Sequence, residues 1–322
     1  MYKVIMAPTE GSESEHAAIS AATRLAQRFD ADLRLVRVEP APLVLDAVSN
    51  AAGFIATEQV LADEHLARLR KLEALGTECR LLGEIRVITA LEEGPVAPTL
   101  RNYAKQFNVD LIVMSSHAWS GVARIALGSV TDYLIRHADI PVLVVKPPVS
   151  FFDGGPGETF NRIVVPLDGS ALAEQILPQV GALASRLNAT VSLLQVLTPL
   201  TYSQKQIMQP GLPWWETDIA IADEYLERAA SYLTESSLSV SKDVVLSEDI
   251  PSAILDYASR SRADLIAIAS SGAGGVGRFV FGSVADEVTR KSQTSLLVFH
   301  PNRQAAYPKS SVRLEAEPYA EV

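Results

Sequence analysis

Short aliphatic runs alternate along the chain with longer stretches of helical periodicity. The runs have the length and β-branched content of buried strands, and they occupy residues 4–7, 33–38, 111–115 and 142–145, with a weaker run near 85–91. Between the first two runs, residues 14–28 carry apolar side chains at the spacing of a helix face, at Ala18, Ala21, Ala22 and Leu25. This alternation predicts a parallel sheet covered by helices on both faces.

The pattern occurs twice. Pro-Thr-Glu-Gly-Ser at 8–12 matches Pro-Leu-Asp-Gly-Ser at 166–170, and Gly-Ser-Val at 128–130 matches 282–284. The offset is 158 residues early (10 to 168) and 154 late (128 to 282), so length differences fall in the middle of each unit. Two domains are also the natural expectation for 322 residues.

Turn-forming and polar stretches set the predicted domain boundaries. A Gly- and Pro-rich segment separates the repeats, and periodicity is lost after Pro301. The predicted division is a first domain over 1–147, a linker over 148–160, a second domain over 161–301 and a mobile tail over 302–322. Residues 200–218, with Trp214-Trp215, are interpreted as an irregular insertion in the second unit.

Composition excludes several classes of function. With 28 basic and 38 acidic residues the formal charge is −10, which disfavours nucleic acid as a partner. No apolar stretch reaches the ~18 residues that would span a membrane. The single cysteine, Cys79, forms no internal disulfide, and the five histidines show no paired metal-ligand spacing. We therefore expect a cytoplasmic protein without a metal site.

Taken together and in order, these motifs resemble the universal stress protein family. The resemblance rests on the two Pro-X-acid-Gly-Ser turns, the repeated Asp-Leu-Ile strand (110–112 and 264–266) and residues 128–145 (GSVTDYLIRHADIPVLVV). It implies an α/β fold of two tandem five-stranded parallel α/β sandwich domains, Rossmann-like and similar to the adenine nucleotide alpha hydrolases. The last strands, near 142–145 and 296–299, would pair the units as an intramolecular pseudo-dimer.

The resemblance also implies a nucleotide site. In ATP-binding members a loop after the fourth strand carries Gly, two residues, Gly, nine residues and Gly-Ser/Thr, because glycines let backbone N–H groups approach phosphate. The second unit keeps more of this pattern, and its implied nucleotide-binding residues are Pro166, Asp168, Val196, Ala269, Gly272, Gly275, Gly282, Ser283 and Val284. The implied weaker site of the first unit comprises Pro8, Glu10, Val38, Ser115, Ala118, Gly128 and Ser129.

Structural interpretations of the same residues stay open. Gly282-Ser283 is also typical of a turn with Ser as helix N-cap, and Asp168-Gly169-Ser170 of a simple strand exit. Arg124 and Arg278 precede the Gly-Ser pairs and are candidates to face a phosphate tail or solvent. The Gly-X-Gly-X-X-Gly at 272–277 follows the wrong strand for an NAD site and lacks an acid at the required distance.

The sequence thus favours a stress-response sensor or regulator that binds ATP, with or without Mg²⁺, best in its C-terminal half. A protein partner is expected but not identified, and a homodimer of tandem chains is left open. Two alternatives remain, namely a nucleotide-free interaction module and a slow ATPase. No residue stands out as a general base, so no catalytic residue is assigned and enzymatic activity beyond slow ATP hydrolysis is not expected.

Overall fold

A computed structural model describes residues 2–12, 15–39, 58–116, 127–146, 160–199, 214–234, 237–270 and 281–301. The predicted tail and residues 148–159 of the predicted linker lie outside this part of the chain. None of the helices in the described ranges is long and apolar enough to cross a membrane.

Each repeat folds as alternating strands and helices. The elements of the first unit are β1 (Val4–Pro8), α1 (His16–Phe29), β2 (Asp32–Glu39), α2 (Glu58–Gly83), β3 (Val87–Glu93), α3 (Val96–Gln106), β4 (Leu111–Ser115), α4 (Ser129–His137) and β5 (Val142–Val145). Those of the second are β6 (Arg162–Pro166), a 3₁₀ turn (Ala173–Ile176), α5 (Leu177–Leu187), β7 (Thr190–Leu197), α6 (Trp214–Thr234), β8 (Val240–Leu246), α7 (Ile250–Arg260), β9 (Leu265–Ala269), α8 (Ser283–Lys291) and β10 (Ser295–Phe299).

All the described strands belong to one sheet, in the order β3-β2-β1-β4-β5-β10-β9-β6-β7-β8. Within each unit every pairing is parallel. The repeat extends to the register, because Ile5 pairs with Leu111 in the first unit and Ile163 with Leu265 in the second. The strand order reverses between β1 and β4, and again between β6 and β9. These are the switch points at which open α/β sheets bind ligands.

The two units meet through their last strands, which confirms the predicted pseudo-dimer. β5 and β10 are antiparallel, with Leu143 opposite Leu297 and Val144 opposite Leu296. Side chains alternate across this pair, so Leu143 and Leu297 enter the core on one face of the sheet while Val144 and Leu296 enter the core on the other. Both cores are therefore continuous from one unit to the other.

Helix ends follow the local sequence. α1 ends at Asp30 (φ 52°) and α5 at Asn188 (φ 54°), both in the left-handed conformation that Asp and Asn tolerate. The structure also shows what the aspartates of the Asp-Leu-Ile motifs bind. The carboxylate of Asp110 accepts hydrogen bonds from the backbone N–H groups of Lys3 and Val4, and Asp264 does the same for the start of β6.

One predicted boundary is wrong. Residues 200–218 were expected to be irregular, but α6 begins at Trp214. Its side chains at Ala222, Leu226, Ala229 and Leu233 are buried and have helical spacing. The corresponding segment of the first unit, residues 43–57, lies outside the described residues.

Candidate functional site

A cavity of about 630 Å³ lies at the carboxyl ends of β6, β7 and β9, at the switch point of the second unit. The described residues that the sequence predicts for this site all line it, namely Pro166, Asp168, Val196, Ala269, Gly282, Ser283 and Val284. Gly272, Gly275 and Arg278 lie outside the described residues. The structure thus brings together residues that are far apart in the sequence.

The rim formed by the β6 exit is a tight turn. Gly169 has φ 83°, a conformation that favours glycine. The Asp168 carboxylate accepts hydrogen bonds from the Ser170 backbone N–H (3.0 Å) and hydroxyl (2.6 Å). These hydrogen bonds agree with the interpretation of Asp168-Gly169-Ser170 as a strand exit. Asp168 also lines the cavity.

The opposite rim is the N-terminus of α8. Gly282 is the N-cap residue and Ser283 the first helical residue, without a side-chain cap, so the interpretation of Ser as N-cap is wrong. The Gly282 N–H donates to the Ser270 carbonyl at 2.7 Å, which links the N-cap of α8 to the end of β9. The first N–H groups of a helix lack intrahelical acceptors and favour anions. This rim has the character required to hold a phosphate.

The wall of the cavity is mostly apolar, and sequence reasoning missed its residues. It includes Leu194 from β7, Ile250 and Ile254 from α7, Ile268 from β9, and Phe281. Ile250 and Ile254 are separated by four positions and hence share one helix face, a signal that points to burial but not to a ligand. An apolar wall with a few polar groups at its rim is typical of small-molecule sites.

The corresponding cavity of the first unit is much smaller, at about 130 Å³. The described residues predicted for the weaker site line it, namely Pro8, Glu10, Val38, Ser115, Gly128 and Ser129. Ala118 and Arg124 lie outside the described residues. The same predicted positions therefore enclose different amounts of space in the two units.

Glu15 fills part of the first cavity. This side chain, 5% exposed, reaches back from the start of α1 and lines the cavity. Its carboxylate accepts hydrogen bonds from the Thr9 hydroxyl (2.5 Å) and from the backbone N–H groups of Glu10 (2.7 Å) and Gly11 (3.0 Å). At the offset of 158, the second unit has Ala173 in place of Glu15, which leaves that volume open.

A second replacement acts in the same direction. Thr131 of α4 is 2% exposed and its hydroxyl donates to the Ser115 carbonyl at 3.1 Å, within the lining of the first cavity. The offset of 154 places Ala285 at this position of the second unit. The second unit thus has an alanine at both positions, and both alanines line its larger cavity.

Behind the Asp168 turn lies a cluster of ionisable groups. Removal from water raises the pKa of the Glu174 carboxyl. A hydrogen bond with Tyr225 and the positive charge of Arg228 lower this pKa, but by less. Burial likewise raises the pKa of the Tyr225 hydroxyl, and Glu174 and Asp168 add to this. Acidic groups therefore lie at this end of the cavity, so an anionic ligand group would favour the α8 end.

No three His, Cys, Asp or Glu side chains among the described residues are grouped so as to hold a metal ion. Cys79 is buried, which raises the pKa of its thiol. His137 ends α4, where its Nδ1 lies 2.8 Å from the Tyr133 carbonyl, as expected for a helix C-terminal residue.

Comparison with known proteins identifies the family. The model of the universal stress protein family matches the chain twice, over residues 1–146 and 159–300. The chain belongs to the universal stress protein family. It is 32% identical over 149 residues to the universal stress protein MJ0531 of Methanocaldococcus jannaschii, which covers 46% of this chain and 84% of that protein.

Tandem universal stress proteins match almost end to end. The protein Rv1996 of Mycobacterium tuberculosis is 25% identical over an alignment that covers 94% of this chain and 97% of the relative. Two solved universal stress protein structures share the fold. That from Archaeoglobus fulgidus has a TM-score of 0.65 at 17% identity, covering 92% of this chain and 98% of its own. One from Pseudomonas aeruginosa has a TM-score of 0.63 at 18% identity, covering 93% and 94%.

Proposed function

We propose that this tandem universal stress protein is a stress-response sensor or regulator that binds an adenine nucleotide, ATP, in its second unit. The observation that carries the proposal is the cavity of about 630 Å³ lined by the described residues implied for a nucleotide site. Its size falls within the roughly 300–1,000 Å³ of small-molecule sites, whereas the about 130 Å³ of the first unit does not.

The chemistry of the cavity fits the parts of the ligand. The aliphatic wall around Leu194, Val196 and Ile254 suits the faces of an adenine ring. Asp168 offers acceptor oxygens to the donors of adenine or ribose. The N-terminus of α8 at Gly282-Ser283 suits the phosphates, because unpaired N–H groups and the helix dipole favour anions there.

Magnesium would arrive with the nucleotide. Mg²⁺ in nucleotide sites is commonly held by substrate phosphates and one or two carboxylates. Since no cluster of three acidic, His or Cys ligands occurs among the described residues, we assign no protein metal site. We also assign no general base, and hydrolysis is not part of the proposal.

Calorimetric titration of Mg-ATP into the full chain tests this function. We expect saturable binding to wild type, at about one ATP per chain, and its loss in Gly282→Trp. The Gly282 backbone (φ −63°, ψ 146°) is allowed for any residue, so the indole adds bulk at the α8 rim without backbone strain. Ala173→Glu is a second variant, which transfers the Glu15 carboxylate to its repeat position.

Gly128→Trp is the matched control, because Gly128 has nearly the same conformation (φ −63°, ψ 148°) before α4 of the first unit. It should retain ATP binding, and circular dichroism would verify the fold of each variant. Loss of binding in Gly128→Trp alone would move the site to the first unit. No saturable binding to folded wild type would favour the nucleotide-free interaction module.

A further inference from the structure

The contact between the units carries a cluster of charges beside the second cavity. Arg136 of α4, in the first unit, donates from Nε to both carboxylate oxygens of Asp132, at 2.9 and 3.0 Å. Its Nη2 donates to Asp286 Oδ1 of α8, in the second unit, at 2.5 Å. Arg136 thus links the two helices that follow the phosphate-loop positions of the repeat.

Arg136 is also part of the wall of the second cavity, together with Asp286 and Phe281. Its guanidinium carbon lies 5.0 Å from the centroid of the Phe281 ring, within the range of a cation–π contact. Two carboxylates and one ring therefore fix the position of the guanidinium, and the side chain remains 33% exposed. A cation held in this way is oriented before any ligand arrives.

The position of Asp286 explains why a cation is needed there. Asp286 lies in the first turn of α8, at the cavity wall, with only 16% of its side chain exposed. Alone, its carboxylate would repel the phosphates that the α8 N-terminus attracts. Arg136 and Arg290 both pair with that carboxylate, but only Arg136 also lines the cavity. The bonds of Arg136 to the described carboxylates use Nε and Nη2, while a guanidinium has five N–H donors in a planar fork.

The arrangement is not repeated in the first unit. The counterpart of Arg136 at the offset of 154 is Arg290, which pairs with Asp286 of its own helix and is 63% exposed. Among the described residues, Arg290 is not part of the lining of the first cavity, whereas Arg136 lines the second. The cross-unit arginine is therefore found at the larger cavity.

We propose that Arg136 of the first unit is an anion-binding residue of the second unit's site, where it contacts the phosphate groups of a nucleoside polyphosphate. The assignment rests on the proposed nucleotide function and deepens it. On binding, phosphate oxygens compete with Asp286 for the guanidinium donors, so occupancy of the site alters the contact between the units. The site is incomplete without the first unit.

The test compares ATP with adenosine, which lacks phosphate. Titrations with each ligand are made on wild type and on the variants Arg136→Gln, Arg136→Lys, Arg290→Gln and Asp286→Asn. We expect Arg136→Gln to weaken ATP binding about tenfold, as for the loss of one charge-assisted hydrogen bond, with adenosine binding unchanged. Asp286→Asn should tighten ATP binding several-fold, because it removes the opposing charge. Arg136→Lys should restore part of the ATP affinity.

Arg290→Gln is the matched control, since it removes an arginine that pairs with the same carboxylate but is largely solvated. It should change ATP affinity by less than about twofold. Equal ATP affinity in wild type and Arg136→Gln would overturn the assignment, as would equal weakening of ATP and adenosine, which indicates a structural role. No ATP binding to folded wild type would overturn the proposed function and this assignment together.

Discussion

Glu15 distinguishes the first unit from the second, which has Ala173 at the equivalent position. Its carboxylate satisfies two backbone N–H groups and a hydroxyl at the end of β1, in a position where water is excluded. The Glu15 side chain thus stabilises the turn after β1 through hydrogen bonds. The turn at Asp168 in the second unit instead uses its own Asp and Ser side chains.

We therefore predict that Glu15→Gln lowers the free energy of unfolding by roughly 2 kcal/mol, because an amide N–H₂ replaces an acceptor facing donors and leaves a buried group unsatisfied. Urea denaturation followed by circular dichroism measures this loss. Glu78→Gln, an exposed change of the same chemistry on α2, should alter stability by less than about 0.5 kcal/mol. Equal stabilities of the two variants would show that the carboxylate does not hold the turn.

At this scale the sequence predicts which positions face the site but not how much space they leave. Pro166, Asp168 and Gly282 could be placed because repeated motifs mark them. The repeat offset also shows that Ala173 replaces Glu15. The effect of this replacement on cavity size depends on the contacts of the Glu15 side chain with Thr9 and Glu10, six and five positions earlier in the chain. Arg136 lies within the 128–145 motif, but the sequence did not assign it to the site, because its proposed role depends on contact with the other unit.

Among the elements, the pairing of β5 with β10 decides how the repeats are joined. Leu297 lies at the centre of β10 opposite Leu143, is fully buried, and belongs to a core that both units share. Its truncation would leave a cavity at the junction instead of within one unit. The loss of stability should consequently affect both units.

We predict that Leu297→Ala lowers the free energy of unfolding by about 3 kcal/mol, the cost of a lost buried aliphatic group plus its cavity. The measurement is urea denaturation, with Leu246→Ala as control at the end of the edge strand β8, where the side chain is 44% exposed. If Leu246→Ala lowers the free energy of unfolding as much as Leu297→Ala does, the β5–β10 pair does not contribute more to stability than the edge of the sheet.

Elements with strong periodicity were predictable, and those set by packing were not. The strand pattern and the two helix ends at Asp30 and Asn188 follow from local rules. The start of α6 at Trp214 does not, because the preceding residues carry Pro and polar side chains typical of loops, and the helix is stabilised by contacts with β7 and β8.

At the scale of the whole molecule, His300 connects the two units and the cavity. Its Nε2 contacts the Ile135 carbonyl of α4 in the first unit, and its Nδ1 lies 2.7 Å from the hydroxyl of Ser270, a cavity residue. These partners suit a neutral imidazole in which Nε2–H donates and Nδ1 accepts from the hydroxyl. Protonation would place a second donor against Ser270.

Removal from water lowers the pKa of His300 below its ordinary value of 6.5, with His137 acting in the same direction and the Ile135 carbonyl and Asp139 opposing it. The unfolded chain, with the ordinary pKa, then binds more protons than the folded chain, so the free energy of unfolding rises with pH in that interval. This contribution is complete above the unfolded pKa and is lost as the pH falls below it, by at most about 1.4 kcal/mol per pH unit.

His300→Gln should therefore flatten the dependence of stability on pH between about 5 and 7.5, because the variant no longer has the group whose pKa is lowered. Urea denaturation at several pH values, with the slope compared against wild type, measures the difference. His137→Gln, at the exposed end of α4, is the control, because His137 has the smallest influence among the groups that shift the pKa of His300 and its loss should leave most of the slope in place. If the free energy of unfolding of His300→Gln depends on pH as steeply as that of wild type, groups other than His300 cause the loss of stability in acid. The contact between the units would then not be the source of this pH dependence.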